Sequence, residues 1–416
     1  MSTITWVQHP IGQGGFHTGR MVDDDGTVLN WIFDCGAKNG RDFDKYLRPW
    51  TARLHEPLDW LFVSHFDYDH VSGLDTLMAR CVVRDVMVTY VDDEELVYLL
   101  LSEIARGNLD RALVDLIADP AAFLLSRGAR RVTFLNGGRP RDPADSEGPE
   151  PSRDPGEPFG DKDERGWLTR IDRPLAALTA PVWARSAGAQ SPVSVVEDTT
   201  CAVTISRGSV GLHLKPYRAP ILPAAHQLLL DDARALVGPL AAAAVGRPGL
   251  RGLAYAIAQH ARTAKGRAEL RALHNKHAGS SNRASLSLLS EPFGFDPARA
   301  HWHVSDPPDG RWGDGAGAWV NTGDAELLDP ADLADWQSSY PAHLGYVRVL
   351  ALPHHGSDKN SDGDLQNLCP SAILTAHAKS TNKKHPGPDV SLAAGDRLAL
   401  VSEQAGSRVV MWFYAR

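Results

Sequence analysis

The sequence predicts an α/β fold on three observations. Short apolar runs rich in strand formers occupy the N-terminal third, helical periodicity takes over in the middle, and strand-like pieces return toward the C-terminus. Residues 28–34 (VLNWIFD) follow the turn Asp23-Asp24-Asp25-Gly26 and read as a strand. Residues 58–64 (LDWLFVS) are too short and too apolar for a typical helix and fit a strand covered on both faces. Residues 82–91 form another β-branched stretch. Across 92–125 the spacing of Leu96, Leu99, Leu100 and Ile104 is helical. Residues 200–214 read as two strands around Arg207-Gly208-Ser209, and 222–278 as helices divided at Pro248-Gly249. Strands are expected again at 284–289, 318–320 and 347–352. The pieces 398–402 and 409–414 look like a hairpin around Ala405-Gly406-Ser407.

The chain has 416 residues, 43% of them hydrophobic, with 43 Lys and Arg against 51 Asp and Glu and a net charge of −8. That composition excludes a disordered or collagen-like chain and allows a large core. No internal repeat is evident, and one domain over 1–416 is expected, with insertions at 95–199 and 217–280, the second helical. Within the first insertion, 137–166 is dense in Pro, Gly and charge and reads as a flexible surface loop. The acidic balance argues against coating duplex nucleic acid but allows a local basic pocket. The chain lacks the apolar run of about 18 residues a membrane span needs, and it opens without the pattern of a signal peptide. Cys35, Cys81, Cys201 and Cys369 are far apart, which argues against a disulfide framework or a cysteine zinc knuckle. A soluble, cytoplasmic protein is expected.

The informative segment is Ser64-His65-Phe66-Asp67-Tyr68-Asp69-His70-Val71-Ser72-Gly73. Two imidazoles and two carboxylates lie just after a buried strand and just before a helix, and such groups suit zinc, manganese or iron. Buried together, they would be costly without a compensating charge. Three later segments add to this. A strand runs into Asn321-Thr322-Gly323-Asp324, another ends in Pro353-His354-His355-Gly356-Ser357, and His385 precedes Pro386.

Taken together, HxDxDHxSG, GD, HHGS and HP in this order resemble the metallo-β-lactamase superfamily, and more closely the nuclease-like domain of ComEC-type DNA-uptake proteins. Ile11-Gly12-Gln13-Gly14-Gly15-Phe16 is similar to that group's first strand and turn, Phe33-Asp34-Cys35-Gly36 to a strand end, and Asn282-Arg283-Ala284-Ser285-Leu286 to a strand start. The resemblance implies an αββα sandwich with a dinuclear metal site at one edge. His65, Asp67, Asp69, His70, Asp324 and His385 would be ligands, with Asp324 bridging two divalent ions. One of His354 and His355 would lie beside the metals, as a ligand or a contact to the substrate oxyanion, and Asp34 would support the site. Two departures matter. The wider superfamily most often has His where Asp67 stands, and its third His has no clear counterpart among His213, His226, His260, His274 and His277. The carboxylate-rich set makes manganese an alternative to zinc.

A site of this kind activates water for hydrolysis, with Asp69 orienting and His354 or His355 assisting charge or proton transfer. The fold does not choose the substrate. Lys359, Lys379, Lys383 and Lys384 lie on the loops around HHGS and His385 and favour an anionic substrate. The sequence therefore points to a phosphodiesterase or nuclease acting on single-stranded nucleic acid or a nucleotide, with Lys383 and Lys384 contacting it. The alternatives are a lactonase or other acyl hydrolase, and a partner-binding module that keeps its metals for stability. The helical insertion offers packing, lid, protein-partner or homo-oligomer roles, and Arg262, Lys265, Arg267 and Arg271 give it a basic side. Asp358–Gly363 begins like a calcium loop, but position twelve would be Cys369, so its role is to order the chain after HHGS. The glycines at 12–15 lack the Lys that would make a P-loop. Trp6, Trp31, Trp60, Trp302, Trp312 and Trp319 suit core packing better than base stacking.

Overall fold

The computed structural model describes residues 1–91, 93–108, 111–137, 160–172, 192–196, 198–220, 227–242, 250–276, 284–305 and 310–415. Two large sheets stack face to face. The first begins with the antiparallel strands β1 (Ser2–Gln8), β2 (Phe16–Val22) and β3 (Val28–Cys35). It continues in parallel through β4 (Leu58–Val63), β5 (Val83–Thr89), β6 (Arg131–Leu135) and, after β7 (Gly160–Lys162) and β8 (Leu168–Ile171), through β9 (Val193–Val196).

The second sheet is built on β7, β8, β10 (Val203–Arg207), β11 (Val210–Tyr217) and β12 (Ser287–Phe293), all antiparallel neighbours. After β13 (Ala300–Ser305) and β14 (Arg311–Asp314), which return to the first sheet, come β15 (Ala318–Asn321), β16 (Val347–Ala351), β17 (Ile373–His377) and β18 (Leu398–Val401). These last four run parallel to one another. The final strand, β19 (Val409–Ala415), lies in the first sheet between β1 and β13.

Three hydrophobic clusters define four layers. Trp6, Trp31, Trp60, Phe62, Trp319 and Met411 lie between the sheets. Apolar side chains of β3 to β6 pack outward against α1 (Gly40–Thr51), α3 (Leu74–Met78) and further helices. Trp336, Leu365 and Val390 cover the second sheet from α10 (Pro330–Ser338), α11 (Gly363–Leu368) and α12 (Pro388–Ala394). This is the expected αββα sandwich, and the fully buried 58–63 run is explained by its place between two apolar layers.

Residues 95–199 and 217–280, read as insertions, differ in kind. The second is helical where it is described: α7 (Gln227–Ala242), α8 (Leu250–His260) and α9 (Ala264–Lys276). These pack with α4 (Asp93–Arg106), α5 (Arg111–Ala118) and α6 (Pro120–Ser126) into one cluster on the first sheet. The Pro248-Gly249 divide lies outside the described residues. Residues 95–199 also supply β6 and β9 to one sheet and β7 and β8 to the other. No described helix is long and apolar enough to cross a membrane, and none of the four cysteines is in a disulfide.

Two expectations are corrected. The 398–402 and 409–414 pieces are not a hairpin: β18 pairs with β17 in one sheet and β19 with β1 and β13 in the other, so the turn at 405–407 carries the chain across the sandwich. The 137–166 loop ends earlier than composition suggests. Residues 138–159 lie outside the described residues, but 160–166 form β7 and a turn in which Asp163 accepts from the backbone N–H groups of Arg165 and Trp167. Trp167, at 1% exposure, anchors that turn in the core.

Leu61 is fully buried at the centre of β4. Leu61→Ala is expected to cost about 2–5 kcal/mol, read as a lowered urea midpoint with an unchanged slope.

Candidate metal centre

The parallel strands of each sheet end at one edge of the sandwich. Leu286 donates its N–H to the Ser64 carbonyl at 2.8 Å and joins the two edges there. Asp34 sits at the end of β3, His65 follows β4, Asp324 follows β15, and His354 and His355 follow β16. Loops from strand ends thus place the chemistry while the sheets stay rigid.

Asp34 organises the first half of the site. Its Oδ1 accepts from the Ser64 N–H at 2.7 Å. Its Oδ2 accepts from Ser64 Oγ at 2.7 Å and lies 2.7 Å from His70 Nδ1. The His70 ring therefore carries its proton on Nδ1 and turns Nε2 toward the site. His65 is set similarly, with Nδ1 2.9 Å from Ser64 Oγ. Gly15 passes so close that a Cβ there would lie 2.6 Å from Asp34 Cβ and 2.8 Å from His70 Nδ1. This accounts for a glycine at the end of the 11–15 segment.

The second half comes from the other sheet. Asp324 Oδ1 lies 3.2 Å from His70 Nε2, and its Oδ2 lies 3.7 Å from His65 Nε2 and 3.8 Å from His354 Nε2. His355 Nε2 lies 3.3 Å from Asp69 Oδ2. His354 and His355 both have positive φ, 47° and 61°, a conformation that costs energy in non-glycine residues. It splays the two rings to different points of the site. Asn360 faces His354 Nδ1 at 2.9 Å through Oδ1, and its amide donates to the Asp324 carbonyl. Asn360 thus ties the segment after HHGS to His354 and Asp324.

The predicted residues meet at one place, to different degrees. Two groups have ligand atoms within 4.8 Å of one another: His65, His70 and Asp324, and Asp69, His70 and His355. His385 stands at the rim, its ring 5.6 Å from that of His354 and 6.2 Å from that of His355, and enters neither group. Asp67 is buried, but its Oδ2 is held by Arg106 Nη1 at 2.5 Å and lies 3.9 Å from His65 Nε2. Lys383 and Lys384 are exposed on the loop before His385. Of the interval histidines, His213 stacks on Phe293, His260 pairs with Glu269 and His274 lies against Tyr98. His226 and His277 lie outside the described residues, as do Asn282 and Arg283.

The donor set fits a divalent metal. His65 Nε2, His70 Nε2, His355 Nε2, Asp67 Oδ1, Asp324 Oδ1 and His385 Nδ1 are all buried without a hydrogen-bond partner. Buried polar atoms are normally satisfied, and a cluster of lone-pair donors left over at one point is what a cation would complete.

The charges of the cluster act strongly on one another. Burial opposes charge on His70, but Asp324 and Asp34 outweigh it and push its pKa well above the usual imidazole range. Burial would likewise raise Asp69, yet His355 and His70 hold it below the usual carboxylate range. His385 is lowered to about 4 by burial and by His355 and His354, which keeps its ring neutral.

Several residues were not legible in the sequence. Arg106 reaches Asp67 from α4, and Lys38 is close enough to His385 to act on its charge. Behind the ligands a pocket of about 20 Å³ is lined by Gln8, His17, Asn321 and His377, together with His70, His355 and Asp324. Neither ring nitrogen of His17 has a partner. No motif marks these positions, because tertiary contacts alone bring them to the site.

Residues 21–164 match the family model of the metallo-beta-lactamase superfamily. That span contains Asp34 and the whole His65-to-His70 motif. The superfamily consists mostly of metal-dependent hydrolases and commonly binds divalent metals, usually zinc. No curated protein matches the chain.

Asp34→Asn exchanges an acceptor oxygen for a donor against Ser64 or His70. Zinc or manganese affinity is expected to fall about 10–100-fold, measured by metal titration, with little change in far-UV circular dichroism.

Proposed function

We propose that the protein is a metal-dependent phosphodiesterase or nuclease acting on an anionic substrate, such as single-stranded nucleic acid or a nucleotide. The observation that carries the reading is the convergence, at one edge of the sandwich, of His65, His70 and Asp324 and of Asp69, His70 and His355, with the three Nε2 atoms and Asp324 Oδ1 buried and unpartnered. His65, His70, Asp324, Asp69 and His355 would hold two divalent ions, zinc or manganese, with Asp67 and His385 as the outer members of the set. When bound, such ions polarise a substrate oxygen and lower the pKa of water toward neutrality.

The chain's own residues supply the rest. Asp34, Ser64 and Asn360 fix the imidazole tautomers, so the site needs little rearrangement on binding. His354 is about a third exposed, with Nδ1 held by Asn360, so Nε2 is its proton-exchanging atom at the mouth. That suits it to protonate a leaving group.

The charge around the mouth supports an anion. Lys38, Lys379, Lys383, Lys384 and Arg106 border the loops that carry the ligands. A lactonase or acyl hydrolase would call for an apolar rim. The Asp in place of the superfamily's second His supports the ComEC-like branch and the phosphodiester reading together.

Purified protein with Mn²⁺ or Zn²⁺ is expected to cleave bis(p-nitrophenyl) phosphate or a single-stranded oligodeoxynucleotide. Chelation or Asp324→Ala should reduce the rate by more than about a hundredfold. Turnover that persists in Asp324→Ala would place the reaction elsewhere, and full metal loading with no turnover on either substrate would favour a binding module.

A further inference from the structure

The helical layer contributes one side chain to the metal-centre loop. Arg106, the last residue of α4, gives Nη1 to Asp67 Oδ2 at 2.5 Å and to Glu103 Oε1 at 2.6 Å. Both carboxylates are buried, at 5% and 1% side-chain exposure, whereas Arg106 is 48% exposed. The other Glu103 oxygen accepts from Asn108 Nδ2 at 2.7 Å. Behind Arg106 the helix end is itself fixed, because Arg271 of α9 donates to the Ala105 carbonyl at 3.1 Å.

Two buried acids therefore grip one edge of a guanidinium that remains half in solvent beside the His65-to-His70 loop. A cation meant only to neutralise Asp67 and Glu103 would be expected beneath the surface with them. Arginine has five N–H donors in a fixed fork, and Nη1 alone serves both acids. Among the described residues no further hydrogen bond of this guanidinium is found beyond the two made by Nη1. A preoriented fork of this kind matches the paired oxygens of a phosphoryl group.

We propose that Arg106 is the substrate-anion recognition residue contributed by the helical layer, gripping a phosphoryl oxygen while Asp67 and Glu103 hold it in place. Asp67 is then shared: Oδ2 anchors Arg106 and lies 3.9 Å from His65 Nε2, and Oδ1 is buried without a hydrogen-bond partner. The basic residues of α9 do not take this part. Arg267 donates to the Ala261 and Arg262 carbonyls, Arg271 caps α4, and Lys265 lies 3.8 Å from Glu269.

This inference rests on the hydrolase reading for its consequence but not for its test. Inorganic phosphate binding to metal-loaded protein is measured by calorimetry for wild type, Arg106→Lys and Arg106→Ala, with metal content determined on each sample. Arg106→Lys keeps a cation for Asp67 and Glu103, so it remains informative if Arg106→Ala fails to fold. Binding weakened about tenfold or more in Arg106→Lys at unchanged metal content is expected, since an ammonium cannot reproduce the fork. With turnover, KM for bis(p-nitrophenyl) phosphate should rise by a similar factor, with a smaller change in kcat. Equal phosphate affinity in wild type and Arg106→Lys, or no phosphate binding by wild type, overturns the proposal. Arg106-dependent phosphate binding in a protein that hydrolyses nothing would keep the recognition site and remove the hydrolase.

Discussion

The carboxylate of Asp34 is the contact on which the site depends. It is 1% exposed, sits at positive φ at the end of β3, and engages both the backbone and hydroxyl of Ser64 and the ring of His70. One side chain thus locks the ends of two parallel strands and the short helix after them. A buried carboxylate is costly alone, and here charge-assisted hydrogen bonds offset the cost. The imidazole of His70 consequently faces the point that the second sheet approaches with Asp324. If Asp34 moved, His65 and His70 would lose their common partner through Ser64.

Much of this was legible because it is local. The His65-to-His70 segment, Gly323-Asp324 and His354-His355 each follow an apolar run, and a strand end is where a loop can carry polar side chains without exposing the core. The order of those segments sufficed to expect the sandwich and the site. Illegible were features set by pairing across the fold. The last two strands look like a hairpin because a short turn separates them, yet nothing in 398–415 encodes that β18 extends a parallel ladder while β19 joins β1. Likewise β13 and β14 gave no clear signal. His301, Trp302, His303 and Trp312 alternate weakly, and their strands are identified by pairing with β19 and each other. The tryptophans divided along the same line. Trp6, Trp31, Trp60 and Trp319 are core residues, while Trp312 is 72% exposed and stacks on His303.

The same distinction explains which cations were missed. Lys383 and Lys384 stand next to His385 in sequence, on an exposed loop, and are legible there. Arg106 is 39 positions from Asp67 and reads as an ordinary basic residue at a helix end. Its approach depends on how α4 and α9 stack over the edge of the first sheet, which no local pattern records.

Charge gives the strongest argument that these pieces form one device. Asp34, Asp67, Asp69, Asp324 and Glu103 crowd a small volume, and all but Asp69 are below 9% exposed. Burial, with Asp67 adding repulsion, lifts Glu103 to about 7, so even the Arg106 guanidinium leaves it poorly compensated. A protein could not afford such a cluster for packing alone, because hydrophobic replacements would be more stable. Divalent cations at the donor atoms would balance the inner acids and leave the outer face of Arg106 as the exposed positive charge beside Asp67. On the proposed reading, that exposed charge would attract an anion before any specific contact is made.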